Sequence, residues 1–362
     1  MELKPFQIED WLNLHEQKIR WHLSESCAHP FTVQQFLDCC HEPADQLLSC
    51  HLGYDDIIGS EQLRTEIAGL YEHISKDSIA VAVGISNANV MAMMEFLKPG
   101  MKMLTPTPTY DHFTNFAESI GVHVYPFEFD DRKPFDLDSF LDQMKGMDAV
   151  GIVNPNNPTG YTFSREEITK IKHQAEQCGC LLIVDEAYRF MTLDEHTSFA
   201  EDSDRVIVTG GLSKAIGLPG LRVGWIISSK KNIDLINSRR NYHIIALSPL
   251  QDRLACIALS HTDILLKRTE AVIQANTAYL HGWLKDNPMF SISLSHGSLH
   301  LLHAPFNSAA FSEYLYQKYQ LLLAPGECFN ESNCWRLSLS IDPEVLKQGL
   351  QIISEESKTW KE

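Results

Sequence analysis

Seven short apolar runs constrain this chain more than any other feature of its sequence. They are residues 79–83, 103–105, 122–127, 149–153, 181–184, 206–209 and 223–227, and stretches of helical character separate many of them. Most are near-continuous in Ile, Val, Leu and Ala rather than alternating with polar residues. Strands buried on both faces read this way, so an α/β fold with a mostly parallel central sheet covered by helices is expected. One helical stretch is expected at 89–97. Another begins at Ser164, where Ser164-Arg165-Glu166-Glu167 reads as a capping box. In sheets of this kind ligands collect beyond the carboxyl ends of the strands. Ser86, Asn157, Asp185 and Lys214 all fall just beyond an expected strand end. The chain has 362 residues, 44% of them hydrophobic, which is enough for two cores. A large domain is expected at 46–255. A long helical pattern at 254–284 should link it to a smaller α+β domain at 256–362, while residues 1–45 form an arm that serves the small domain and the site entrance.

Lys214 stands in the stretch Ser213-Lys214-Ala215-Ile216-Gly217-Leu218-Pro219-Gly220-Leu221-Arg222-Val223-Gly224-Trp225. Its three glycines suggest a tight turn that presents one amine and one guanidinium together. A lysine can form a Schiff base with an aldehyde cofactor, and an arginine can clamp that cofactor's phosphate. A surface loop with two ordinary charges is the plainer alternative. Two segments upstream add weight: Asn154-Pro155-Asn156-Asn157-Pro158-Thr159-Gly160, and Leu181-Leu182-Ile183-Val184-Asp185-Glu186-Ala187-Tyr188. With these three motifs in this order, the chain resembles the fold type I pyridoxal-phosphate enzymes of aminotransferase class I/II, from about Phe6 to its end. In Ile8-Glu9-Asp10-Trp11-Leu12 and Leu218-Pro219-Gly220-Leu221-Arg222 it is similar in style to the capreomycidine-synthase-like subgroup.

The resemblance implies pyridoxal 5'-phosphate as cofactor, with Lys214 as the Schiff-base lysine and proton carrier. Asp185 would keep the pyridine nitrogen protonated, although an acid at a strand end can also be a simple cap. Asn157 and Tyr188 would bond the ring oxygen, and Tyr110 would stack on the ring. Gly84-Ile85-Ser86-Asn87 follows a strand and opens a helix, so the backbone N–H groups of Ile85, Ser86 and Asn87 would face the phosphate. Ser213 and Arg222 would add to them. Many relatives carry Ser or Thr three residues before the lysine, whereas this chain has Gly211. By the same resemblance Arg336 would bind the substrate α-carboxylate, with a structural salt bridge as its alternative. Cys27 and Asn157 would contact substrate, within an entrance loop from Ser24 to His29. Arg189, Tyr242 and Ser298 are looser candidates for the substrate side chain. Tyr54 resembles a tyrosine that reaches the neighbouring subunit's phosphate, which implies a homodimer with shared active sites.

The expected activity is transfer of an amino group from an L-amino acid to a 2-oxo acid. Elimination, cyclisation or decarboxylation on the same residues is the alternative, and a cofactor-sensing regulatory module without turnover is a third reading. A formal charge of −17 argues against a nucleic-acid or anionic-membrane surface. No segment is long and apolar enough to span a membrane, and nothing at the N-terminus reads as a signal peptide. Nine cysteines without framework spacing point to reduced thiols and a cytoplasmic address. Sixteen histidines form no metal-binding spacing, so no metal is expected.

Overall fold

The computed structural model describes residues 2–360. Each of the seven apolar runs becomes a strand of one sheet: β1 Ile79–Ala82, β2 Lys102–Thr107, β3 His123–Glu128, β4 Ala149–Val153, β5 Leu181–Asp185, β6 Val206–Gly211 and β7 Gly224–Ile227. Their order is β1-β7-β6-β5-β4-β2-β3. β2 to β6 run parallel, and β7 is antiparallel to both β1 and β6. Every residue of β1, β4 and β7 is buried, which is why these runs carry no polar alternation. β3 lies at the sheet edge and buries only Phe127 fully. The register sets Val153 beside Asp185 and Asp185 beside Thr209 at the carboxyl edge.

Local signals place the helices. The Ser164 capping box forms on both sides, starting the helix Arg165–Cys178, which ends at Gly179 in the left-handed region. The helix α2 Ile85–Phe96 begins four residues before the expected 89, directly after Gly84, whose φ is 79°. A Cβ on Gly84 would collide with the Arg222 guanidinium, so the turn needs glycine for both conformation and space. The pattern at 254–284 is two helices, Pro249–Ser260 and Thr262–Asp286, rather than one. At the junction the His261 ring bonds Ile257 O and the Thr262 hydroxyl bonds Leu259 O, so side chains satisfy carbonyls that a continuous helix would have used.

A second sheet, antiparallel throughout, orders Ala324–Pro325, Cys334–Ser338, Leu299–His303 and Ser291–Ile292. With the helices Ser308–Tyr319 and Pro343–Ser357 it forms the C-terminal domain around Phe311, Trp335 and Leu350. After the helix α1 Gln7–His15, Trp21–His22 pairs in parallel with Leu321–Leu322. Leu23 packs into the same core, and its carbonyl accepts Ser338 N–H at 2.8 Å. The chain then turns back toward the large sheet, where Ala28 N–H donates to Lys214 O at 2.9 Å. The loop from Ser24 to Ala28 is thus held at both ends beside the Lys214 turn. No helix among the described residues is long and apolar enough to cross a membrane.

Candidate active site

A cavity of about 280 Å³ opens at the carboxyl edge of the central sheet. The turn after β6 brings Lys214 into it. The Lys214 amine donates to Ser26 Oγ at 2.8 Å, lies 3.6 Å from Cys27 Sγ and sits 5.5 Å from the Tyr188 ring centre. Enclosure works against the ammonium, but its electrostatic interactions with the neighbouring Tyr188, Cys27 and Glu25 outweigh it and raise the amine's pKa. Glu25 is the carboxylate of that set. No carboxylate forms an ion pair with Lys214 among the described residues.

Asp185 ends β5 and is buried. Asn89, one turn into α2, donates its amide N–H to Asp185 Oδ2 at 2.6 Å, and Ala187 N–H donates to Oδ1 at 2.8 Å. Thr209 Oγ1 in turn donates to Asn89 Oδ1 at 2.6 Å. Burial pushes the Asp185 carboxyl up, while these two donors and the Lys214 charge oppose it. Asp185 is therefore a buried carboxylate that a cationic ligand atom would stabilise.

Asn157 and Tyr188, both buried, line the same cavity, with Asn157 Nδ2 3.4 Å from the Tyr188 hydroxyl. Arg336 reaches them from the C-terminal domain. It is 2% exposed, donates from Nη1 to Asn157 Oδ1 at 3.2 Å and from Nη2 to Ser24 O at 2.8 Å, and leaves Nε without a partner. No carboxylate pairs with it among the described residues, so the structural salt bridge weighed above is absent and the guanidinium is left for an outside anion. Tyr110 also lines the cavity. Its hydroxyl donates to Glu9 at 2.6 Å, and its ring centre lies 4.9 Å from that of Phe6.

The first turn of α2 faces the cavity through Ile85 and Ser86, and its N-cap, Gly84, supplies no side-chain cap. Arg222, itself in the left-handed region at φ 54°, lays its guanidinium over Gly84 and donates to Pro219 O at 3.0 Å. Uncapped N–H groups beside a guanidinium make an anion cradle. Ser213 is buried and lines it as well.

The remaining candidates lie around or outside this cavity. The Asn87 side chain turns back to accept Val83 N–H at 3.2 Å, which leaves its backbone N–H as the expected anion donor. Arg189 lies outside the cavity, stacked 4.3 Å from the Tyr71 ring centre and bonded to Leu70 O. Tyr242 is exposed, and Ser298 is buried elsewhere. Tyr54 is 78% exposed and lies outside its own chain's cavity. Sequence reasoning did not single out Asn89 or Glu9, and it placed Ser26 only within the entrance loop. Asn89 carried a signal, as a polar residue on the apolar helix 85–96.

This donor set fits pyridoxal 5'-phosphate: an open amine for its aldehyde, a buried carboxylate for its ring nitrogen, and an uncapped helix start with Arg222 for its phosphate. The comparisons agree. The sequence profile of the family "Aminotransferase class I and II" matches residues 46–353. Capreomycidine synthase of Streptomyces vinaceus is 26% identical over 97% of this chain and 93% of its own. A pyridoxal-phosphate-dependent aminotransferase of Streptococcus suis superposes with a TM-score of 0.94 at 24% identity, covering all of both chains. A pyridoxal-phosphate-dependent cyclase superposes at 0.90 and 26% identity, covering 98% of this chain and 97% of its own. The chain belongs to the class I and II aminotransferase family and uses pyridoxal 5'-phosphate as its cofactor.

Proposed function

We propose that this protein moves the amino group of an L-amino acid to a 2-oxo acid. The observation that carries the reading is Arg336, a buried guanidinium whose Nε has no partner and which meets no acid among the described residues, lining the same cavity as the Lys214 amine. An α-amino acid offers a carboxylate to the first group and a reactive carbon to the second.

The cofactor, when bound, supplies the electron sink for the bond broken at the substrate α-carbon. Ile85 and Ser86 N–H groups, Ser213 and Arg222 would hold its phosphate. Asp185 would keep its ring nitrogen protonated, and Asn157 and Tyr188 would bond its ring oxygen. Arg336 binds and orients the substrate carboxylate. Lys214 Nζ would hold the cofactor's aldehyde carbon and would also serve as the base that takes the substrate α-proton and returns it. Ser26 and Cys27 position that amine.

A second reading, cyclisation or another elimination on the same residues, is favoured by the likeness to capreomycidine synthase across nearly the whole chain. A single-turnover absorbance screen against a panel of L-amino acids separates the two. Conversion of the bound cofactor to its amine form, with the matching oxo acid released, supports transamination. Ammonia, carbon dioxide or a cyclised product moves the enzyme to the second reading.

The same proposal includes a homodimer. Leu48, Leu52, Tyr54 and Tyr242 are large apolar side chains left exposed, and Asp56 lies within electrostatic range of Arg240. A second copy covering this face would bring Tyr54 to the phosphate site of the other subunit. Light scattering on the purified enzyme tests it, and a monomer with full activity would remove it. A cytoplasmic address, expected from the cysteine usage, belongs to the same proposal.

A further inference from the structure

The helix α1 touches both domains and the Lys214 cavity at once. Ile8 is fully buried against Ala324, Cys328 and Phe329 of the C-terminal domain. His15, two turns on, is also buried and bonds Glu313 at 3.1 Å. The residues just before the helix are tied to the large domain. The Lys4 amine lies 2.6 Å from Glu118, and Pro5 O accepts the Asn115 side chain at 3.4 Å. Glu9 and Leu12, three residues apart on one helix face, line the cavity. The Glu9 side chain makes one hydrogen bond among the described residues: it accepts the Tyr110 hydroxyl at 2.6 Å. A carboxylate acceptor makes this bond charge-assisted, so it is shorter and stronger than a neutral one. Burial and the Glu9 charge push the Tyr110 phenol up, which keeps it a donor. The Phe6 ring packs on the same side chain, its centre 4.9 Å from that of Tyr110. One segment thus holds Tyr110 at two points, the hydroxyl and the ring.

We propose that Glu9 is a positioning residue for the cofactor: with Phe6 it sets the plane of the Tyr110 ring, the ring that would stack on the pyridine. It acts through Tyr110 and touches no reacting atom. The anionic acceptor also enriches the phenol ring in electrons, which favours a protonated pyridine against its face. The seat of α1 and the hold on the cofactor are then one unit, because lifting α1 from the two domains frees the Tyr110 hydroxyl. This rests on the reading of the cavity as the seat of the cofactor, and it holds for either reaction proposed there.

The test uses the full chain and takes three readings. They are cofactor affinity by equilibrium titration of its absorbance, the visible circular dichroism of the bound cofactor, and the melting temperature of the cofactor-free protein. Glu9→Ala and Tyr110→Phe delete the same bond, so each should weaken cofactor binding about tenfold and change the dichroism band alike. The double variant should bind no more weakly than either single one, because the two side chains act as a pair. Glu9→Gln keeps an oxygen acceptor without the charge and should lose only about two- to threefold. A purely structural Glu9 would give a lower melting temperature in Glu9→Ala with affinity and dichroism at parent values, and that result overturns the proposal. Additive losses in the double variant overturn it as well. Tyr110→Ala removes the ring itself and tests the stacking on which the inference rests. Parent-like affinity in that variant would remove both, whereas a loss there with none in Glu9→Ala would remove the role of Glu9 alone.

Discussion

Asn89 donates to Asp185 Oδ2 at 2.6 Å while its own Oδ1 accepts the Thr209 hydroxyl at 2.6 Å, so one buried amide is fixed at both ends. The Thr209 contact orients Asn89 with its N–H toward the carboxylate, which both steadies that anion and fixes its direction. Asn89→Ala removes a hydrogen bond to a charged group, worth about 1.5–3 kcal/mol. Cofactor affinity is expected to fall about tenfold or more in an equilibrium titration of its absorbance. Thr209→Val should give a smaller loss in the same direction, because Asn89 then keeps its donor but loses its orientation. Unchanged affinity in both variants would show that Asp185 is held well enough by Ala187 alone.

Gly211 lies three residues before Lys214, and its surroundings leave no room for a side chain there. A Cβ at this position would lie 2.6 Å from Ile85 Cγ1 and 2.8 Å from Val223 O. Gly211→Ser is therefore expected to destabilise the protein by about 1–3 kcal/mol, as overpacking does, and to weaken cofactor binding rather than add a phosphate contact. Thermal melting with a cofactor titration checks both. Tighter binding would mean that Ile85 yields to the new side chain.

The central strands are legible in the sequence because burial on both faces demands unbroken apolar runs. Residues placed just past those runs, such as Asp185 and Lys214, meet in one cavity because a parallel sheet aligns its carboxyl ends. Contacts that depend on distant pairing are not legible. Thr209 and Asn89 are 120 residues apart, and Glu9 and Tyr110 are 101 apart. The entrance loop is anchored by Trp21 pairing with Leu321, which no local pattern announces. The split of the 254–284 pattern was hidden for a different reason. Its apolar spacing continues through His261, and only the side-chain bonds of His261 and Thr262 to the preceding turn interrupt it.

Glu186 gives the fold a pH dependence of defined sign. Its carboxyl is buried, accepts Phe199 N–H at 2.6 Å and both contacts of the Ser198 hydroxyl, and is pushed by burial up to about 7 from a usual 4.5. Between those values the folded chain holds a proton that the unfolded chain has lost. Stability is thus fully present below about pH 4.5 and falls as pH rises through 7, by a few kcal/mol at most. Glu186→Gln mimics the protonated acid. It should match the parent near pH 4.5 and melt at a higher temperature at pH 8. Parallel melting profiles from pH 4.5 to 8 would place the pH dependence in other groups.

Lys214→Ala removes the amine but no ion pair. Turnover should fall by about 10³-fold or more, in the range lost with a general acid–base group. Circular dichroism and melting temperature should stay close to those of the parent, since Ser26 and Cys27 lose only a donor that solvent can replace. Retained oxo-acid production would mean that another group moves the α-proton.

Arg336→Ala separates binding from chemistry. Among the described residues the guanidinium leaves Nε unsatisfied and has no acid partner, so its burial is a cost to the free enzyme that a substrate carboxylate relieves. Its removal should raise KM for every amino donor by about 100-fold, as loss of a charge-assisted bidentate contact does, with a smaller change in kcat. Arg336→Lys cannot span both Asn157 and the carboxylate with a planar fork, so it should recover only part of the affinity. Stability should not drop by the amount usual for breaking a buried ion pair, because no pair exists to break. A fall in melting temperature of that size, with KM unchanged, would show that Arg336 serves the fold through Ser24 and Asn157 and that the carboxylate binds elsewhere.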